Sequence, residues 1–478
     1  MNYNVILHTL GWVLNIEAAS MVLPLVCSLL YGETSMAKIF LICIAICLVI
    51  GIVLTVRPLK KKSMYAKEGF ICVALSWIVL SIFGALPFIF SGTASVVDSL
   101  FETVSGFTTT GASILSDVEV LPKGLLFWRS FTHWLGGMGV LVFLVAILPL
   151  AGGSNLHLIK AESPGPSVSK LVPKVRSTAK ILYLMYLALT LIQVVFLLCG
   201  GLNLFESLTL TFGTAGTGGF AILNSGCADY SPYVQIVITV FMMLFGINFS
   251  LYYLLLLGKI RDIIRSEELK AYLGVILLAI VIIVLNCKDL YQNIGDAIRH
   301  TAFQVGAVIT TTGFSTTDFD LWPTLSKTIM VLLMFSGAMA GSTGGGIKVS
   351  RILILIKTIK KEIFGAVHPN ATRKVTIDQR PVEHQVVRGV NVYMAAYVII
   401  FAVSVLLISI DNFDPTTNFT AVLSAINNIG PGLAEVGPTR NFSIFSDFST
   451  LVLTADMLIG RLEIFPFLVL FAPSTWRK

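Results

Sequence analysis

Phe101-Glu-Thr-Val-Ser-Gly-Phe-Thr-Thr-Thr-Gly-Ala-Ser113 returns 202 residues later as Phe303-Gln-Val-Gly-Ala-Val-Ile-Thr-Thr-Thr-Gly-Phe-Ser315. A third version runs from Phe205-Glu206 to Thr217-Gly-Gly-Phe-Ala221, and a fourth from Phe419 through Asn427-Asn-Ile-Gly-Pro-Gly432. The leading phenylalanines lie 104, 98 and 116 residues apart, too long a period for a solenoid unit. It suits a module of one span, an outer loop and a second span. Each such module crosses a membrane twice, so successive copies keep one orientation and four can surround an axis along the membrane normal. One Thr-Thr-Thr-Gly or Gly-Pro-Gly alone would read as a solvated turn. Four at matching places in four modules read otherwise.

The sequence around these loops supports a membrane setting. Hydrophobic residues make up 55% of the 478 and charged ones 12%, about half the charged share of an ordinary soluble domain. Mean hydropathy is +0.86. Apolar runs suited to a bilayer core of about 30 Å fall near 5–31, 38–56, 69–91, 124–150, 179–202, 233–257, 271–287, 325–357, 389–410 and 447–472. The first lacks a basic lead and is too long for a signal peptide, so it reads as a retained span. The expected fold is an all-α polytopic membrane protein of four pseudo-symmetric span–pore loop–span repeats around a central pore, preceded by two extra spans. Its units would be 1–66 for the extra pair and 67–155, 156–258, 259–361 and 362–478 for the repeats.

The net charge of +7 follows from topology. Connectors 57–67, 160–180, 259–270 and 357–388, with the last two residues, hold 23 Lys and Arg; those on the other side hold 7, Arg129 among them. Such bias places the basic side, and both termini, in the cytoplasm. No nucleic acid is needed to explain it. The seven cysteines lie mostly in apolar runs without metal spacing and read as small core residues. The six scattered histidines give no metal site, and His133 reads as a packed polar residue.

The stretches from Phe101 to Thr108 and from Phe303 to Thr310 are too short to cross a bilayer as helices. They suit helices that enter from outside and stop partway, with Thr-Thr-Thr-Gly returning as extended chain. Such backbone is tolerated at membrane depth only where it lines water or is buried in protein. Four segments would present rings of carbonyls that replace the hydration shell of a potassium ion, and the helix C-termini would favour a cation. Glu102 and Glu206 follow the leading phenylalanines in two of the loops. They would hold cations near the mouth or simply cap their helices. Asp98, Asp117 and Glu119 make the outer side mildly acidic.

Two features stand apart from the loops. Gly337-Ala-Met-Ala-Gly-Ser-Thr-Gly-Gly-Gly-Ile-Lys348 carries five glycines in its first ten residues, too many for a regular helix, so the eighth span should break there. It is not a phosphate-binding loop, because Lys348 follows Ile347 and Val349 is neither Ser nor Thr. Close helix packing through small residues is the bland alternative. Arg461 lies inside the last span, where a lipid-facing arginine costs about 2.5–3.5 kcal/mol. It faces a cavity or a partner, or snorkels to the interface.

With Asn428-Ile-Gly-Pro-Gly432 and Gly460-Arg-Leu-Glu-Ile-Phe-Pro466, these stretches resemble the Trk/Ktr/HKT superfamily of potassium transporters over essentially the whole chain, and its TrkH subunits in particular. The extra pair of spans is similar to TrkH rather than to the shorter KtrB type. The resemblance implies potassium uptake across the bacterial inner membrane. Its ion-binding glycines fall on Gly111, Gly219, Gly313 and Gly430, within a set that includes Thr109, Thr110, Gly218, Thr311, Thr312, Asn428 and Ile429. Gly218 adjoins Gly219 in the second loop and competes for the key place. Further implied are a gate in the Gly-rich loop (Gly341, Gly344, Gly345, Gly346, Lys348), a pore barrier at Arg461, a homodimer in membrane lipid, and a cytosolic TrkA-type nucleotide-binding ring. No bound cofactor is expected, only potassium as substrate. A sodium-permeable or sodium-coupled transporter is the near alternative. An intramembrane enzyme is the distant one, and lacks the clustered acid–base groups it would need.

Overall fold

The computed structural model describes residues 1–56, 66–147, 175–370 and 374–476. The connector 57–65, the 155/156 boundary, most of the basic connector 160–180 and the end of the fourth span lie outside the described residues.

Six helices there are long and apolar enough to cross a membrane: Tyr3–Leu30, Thr34–Thr55, Lys67–Ser91, Ile181–Cys199, Glu267–Leu290 and His384–Asp411. Their outer faces show apolar side chains such as Leu41, Leu277 and Leu406, while Thr108, Thr214, Thr310 and Asn427 are fully buried within. That inversion is what hydrocarbon demands, since each polar group must be satisfied internally. The helix Lys123–Ile147 occupies the fourth expected position.

Three spans are broken, two of them against expectation. The 233–257 run forms Pro232–Phe245 and Phe249–Leu256, bent by 90°, and Asn248 caps the second piece by accepting the Ser250 N–H. The 447–472 run stops at Arg461 and resumes at Phe465; Glu463 and Ile464 take positive φ at the break, and Pro466 opens the next helix. The break in 325–357 is the expected one: Thr324–Phe335 ends, 336–348 is irregular, and Val349–Val367 follows. The sole sheet among the described residues is a hairpin of Thr376–Ile377 and Arg380–Pro381.

Each repeat carries a short helix between its spans: Val96–Phe107, Leu204–Ala215, Ile294–Ile309 and Pro415–Asn427. Every one begins with a side-chain cap, from Ser95, Asn203, Asn293 and Asp414. Such caps contribute about 1 kcal/mol each and fix where the chain turns inward. Phe205 and Phe419 lie 14 and 11 residues before their loop glycines Gly219 and Gly430, against 10 for Phe101 and Phe303. The leading phenylalanines are therefore not strict register equivalents; the glycines are, and the caps of repeats 1, 2 and 4 keep step with them while the third helix starts one turn earlier.

Candidate functional site

The four short helices end alike. At Thr109, Thr217, Thr311 and Asn428 the backbone turns left-handed, with φ of 55–58°. The next N–H, on Thr110, Gly218, Thr312 and Ile429, reaches back to the helix at 2.8–3.0 Å. This is the helix-ending turn usually built with glycine. Asparagine tolerates it, whereas a β-branched threonine is strained, and such strain collects where geometry serves function. Two residues on, Gly111, Gly219, Gly313 and Gly430 are left-handed again, with φ of 78, 79, 81 and 106°.

These triplets close a ring. A Cβ on Gly111 would lie 1.8 Å from the Gly218 carbonyl oxygen, one on Gly219 1.9 Å from that of Thr312, and one on Gly313 2.0 Å from that of Ile429. One on Gly430 would lie 2.9 Å from the Thr110 oxygen, returning to the start. Each loop thus abuts the next in cyclic order, at a distance that only glycine permits. The order repeats further out. Asn224 donates to Asp117, the Cys227 N–H to the Ser315 carbonyl, the Ala434 N–H to Asp320, and the Phe442 N–H to the Ser113 carbonyl. The Asn224 hydrogen bond holds the Asp117 carboxyl below its usual range, so this outer acid ties repeats together.

The second loop's register is settled by the same pattern: Gly219 is the left-handed glycine and Gly218 the neighbour that supplies a carbonyl. Thr217, absent from the sequence-derived set, matches Thr109, Thr311 and Asn428. Counting back two residues from the glycine would have found it.

Behind the ring lie buried groups. Glu102 is not a mouth residue. It is fully buried, pairs with Arg129 at 2.6 Å and accepts from Ser113 and the Ile114 N–H. Arg129 also donates to the Ala221 carbonyl and stacks 3.6 Å from the centre of the Phe220 ring. It belongs to a helix rather than to an outer connector. Glu206 remains half-exposed in the first turn of its helix. His133 bonds the Gly106 carbonyl through Nδ1 and receives the Phe220 N–H on Nε2, so those bonds assign the proton to Nδ1 and make it a packed bridge between loops 1 and 2. Replacing Glu102 with alanine leaves Arg129 buried without its partner and should cost about 3–5 kcal/mol. Thermal unfolding in detergent would read this as a lower midpoint; an unchanged midpoint would deny the pair its structural role.

The Gly-rich segment sits against one side of the ring. Its ends meet where the Gly337 N–H donates to the Ile347 carbonyl at 2.7 Å. The Gly345 N–H donates to Thr311 Oγ1 at 2.7 Å, and a Cβ on Gly345 would stand 2.7 Å from the Asn427 carbonyl oxygen. Gly341 and Gly346 take positive φ. Lys348 turns back onto the Gly344 and Gly345 carbonyls. Arg461 does not snorkel: it is 8% exposed and donates to the carbonyls of Thr343 at 3.0 Å and Gly136 at 2.8 Å. Together with Trp77, Gly460 and Glu463 it lines a cavity bounded by this segment. Glu463 pairs with Arg351 at 2.7 Å. Six of the seven free cysteines are buried and Cys199 is exposed; no His/Cys/Asp/Glu group able to hold a metal occurs among the described residues.

Four half-crossing helices, four abutting glycine loops and an apolar exterior define a polytopic membrane transporter of the pore-loop kind. The chain belongs to the TrkH family of cation transport proteins, whose model matches residues 36–478. It is 35% identical over 486 aligned positions to the Trk system potassium uptake protein TrkH of Salmonella typhimurium, with both chains covered in full. It is 32% identical to TrkG of Escherichia coli over 484 positions, covering 99% of each. The crystal structure of the potassium transporter TrkH from Vibrio parahaemolyticus superposes with a TM-score of 0.89 at 31% identity, covering both chains entirely. These relatives are transporters, not enzymes.

Proposed function

We propose that this chain takes up potassium across a bacterial inner membrane, with the glycine ring as its selectivity filter. The carrying observation is the cyclic closure of four triplets, each a left-handed residue, a residue whose carbonyl meets the neighbouring loop, and a left-handed glycine. In this reading Thr109, Thr110, Gly111, Thr217, Gly218, Gly219, Thr311, Thr312, Gly313, Asn428, Ile429 and Gly430 exchange their carbonyls for water around the ion. The short helices end at this ring, so their partial negative charge favours a cation. The names of the relatives support potassium as the ion.

The Gly-rich segment obstructs the path beneath the filter and moves when it opens. Arg461 and Lys348 pin it, and the guanidinium adds a positive barrier. The repeats act as the units 67–155, 156–258, 259–361 and 362–478 after the pair 1–66, with both termini cytosolic. The chain works as a homodimer in membrane lipid on a TrkA-type nucleotide-binding ring, for which connectors 156–180 and 357–388 are the contact surfaces. Expression in cells stripped of their own potassium uptake, with and without a TrkA-type partner, tests the reading. Growth should return at low potassium, more fully with the partner. Failure of the inserted protein to carry potassium in both settings while it carries sodium would favour the sodium-permeable alternative.

A further inference from the structure

Glu268 joins the two ends of the Gly-rich segment. Its Oε1 accepts the Ala340 N–H at 2.8 Å and the Ser350 N–H at 3.2 Å. Ala340 lies on the entering limb, and Ser350 in the first turn of Val349–Val367, just past the exit. Glu268 itself occupies the first turn of Glu267–Cys287 and is 8% exposed. One oxygen reaches both N–H groups only while the limbs stay together, so a displacement that parts the limbs must break the pair of bonds.

The adjacent residue is anchored from the other side. The Glu267 N–H donates to Asp378 Oδ1 at 2.7 Å. Its carboxylate pairs with Lys357, whose ammonium also donates to the Thr376 carbonyl at 2.7 Å. Asp378 is the turn of the hairpin Thr376–Ile377/Arg380–Pro381, and Ile377 is buried with Ile354 and Val390. Hairpin, helix end and carboxylate therefore form one contact chain, running from the face with the basic connectors to the segment against the ring.

We propose that Glu268 is a positioning residue that clasps the Gly-rich segment in its obstructing position, its own place set by the Asp378 hairpin. The proposal rests on the gating reading above and names the device that holds the gate. The clasp belongs to the closed arrangement alone, so its loss shifts the population toward the open one.

Reach and charge can be separated. Glu268→Asp keeps the charge and shortens the arm by one methylene; Glu268→Gln keeps the arm and an acceptor oxygen without the charge. Potassium flux is measured in proteoliposomes holding the full chain, beside a deletion of 341–346. Loss of the two bonds to the Ala340 and Ser350 N–H groups predicts that Glu268→Asp and Glu268→Ala raise resting flux about tenfold, while Glu268→Gln, whose amide oxygen still accepts, stays within about twofold of the parent. Asp378→Ala should move flux the same way by less. The potassium-to-sodium ratio should hold throughout, because the ring is untouched. If the deletion raises flux while Asp and Ala do not, the gate stands and the clasp is overturned. If Gln opens the path and Asp does not, charge rather than reach is at work, and the clasp is again overturned. A deletion that leaves flux unchanged removes the gating reading and the clasp with it. Should Glu268→Ala fail to insert, the Asp and Gln pair still decides.

Discussion

Gly313→Ser is expected to lower the ratio of potassium to sodium uptake by about tenfold or more. A side chain there meets two obstacles. The backbone φ of 81° is one that residues with a Cβ rarely adopt, at a cost of about 1–2 kcal/mol. The Cβ itself would stand 2.0 Å from the Ile429 carbonyl oxygen, so that oxygen must move. A carbonyl displaced by even part of an ångström changes the cage that substitutes for hydration water, and about 1.4 kcal/mol of lost discrimination is a factor of ten. Gly365→Ser is the control, since nothing lies within 4 Å of a Cβ at that helical position. Isotope uptake of both ions reads the ratio. An inserted Gly313→Ser protein with the parent ratio would take selectivity away from this ring.

Arg461→Ala should increase conduction by roughly thirtyfold without changing that ratio. Two unit charges about 8 Å apart repel by about 2 kcal/mol at an effective dielectric near 20, which is about thirtyfold in rate. Alanine also removes the bonds to the Thr343 and Gly136 carbonyls, freeing one limb of the Gly-rich segment. Arg461→Lys keeps the charge but cannot hold two carbonyls in a fork, and its flux should fall between the two. Single-channel or liposome flux at matched protein density gives the comparison. Unchanged or lower flux for Arg461→Ala, in protein that elutes as a folded species, would end the idea of a pore barrier there.

How far the sequence revealed this architecture depends on the range of the interaction. Span length and loop repetition are local properties, and both could be read from apolar runs and from the Thr-Thr-Thr-Gly echoes. The break at 336–348 was also local, because clustered glycines disfavour helix by themselves. The bend at Gly246–Asn248 was not: one glycine inside an apolar run is ordinary in membrane helices, and the bend is braced by the Met339 N–H on the Gly246 carbonyl, contributed by another repeat. Pro466 does mark the break in the last span, as proline does at a helix start. Glu102 looked like an acid at a mouth because its partner Arg129 is 27 residues away, on a helix whose rotation no periodicity fixes. The Glu268 clasp was hidden for the same reason: its partners are backbone N–H groups, which leave no trace in residue identity.

The ring's closure also bears on how the protein is made. Asn428 Nδ2 donates to Thr110 Oγ1 at 2.9 Å across a sequence separation of 318 residues, and Gly430 faces the Thr110 carbonyl. Chains emerge and insert from the N-terminus, so the first three quarters of the ring enter the bilayer before the fourth has been translated. Until residues near 430 arrive, the threonine backbone of loop 1 has no partner on its open side. A chain stopped before that point lacks the loop that closes the ring. The ring, and the ion path proposed to run through it, therefore closes in one late event.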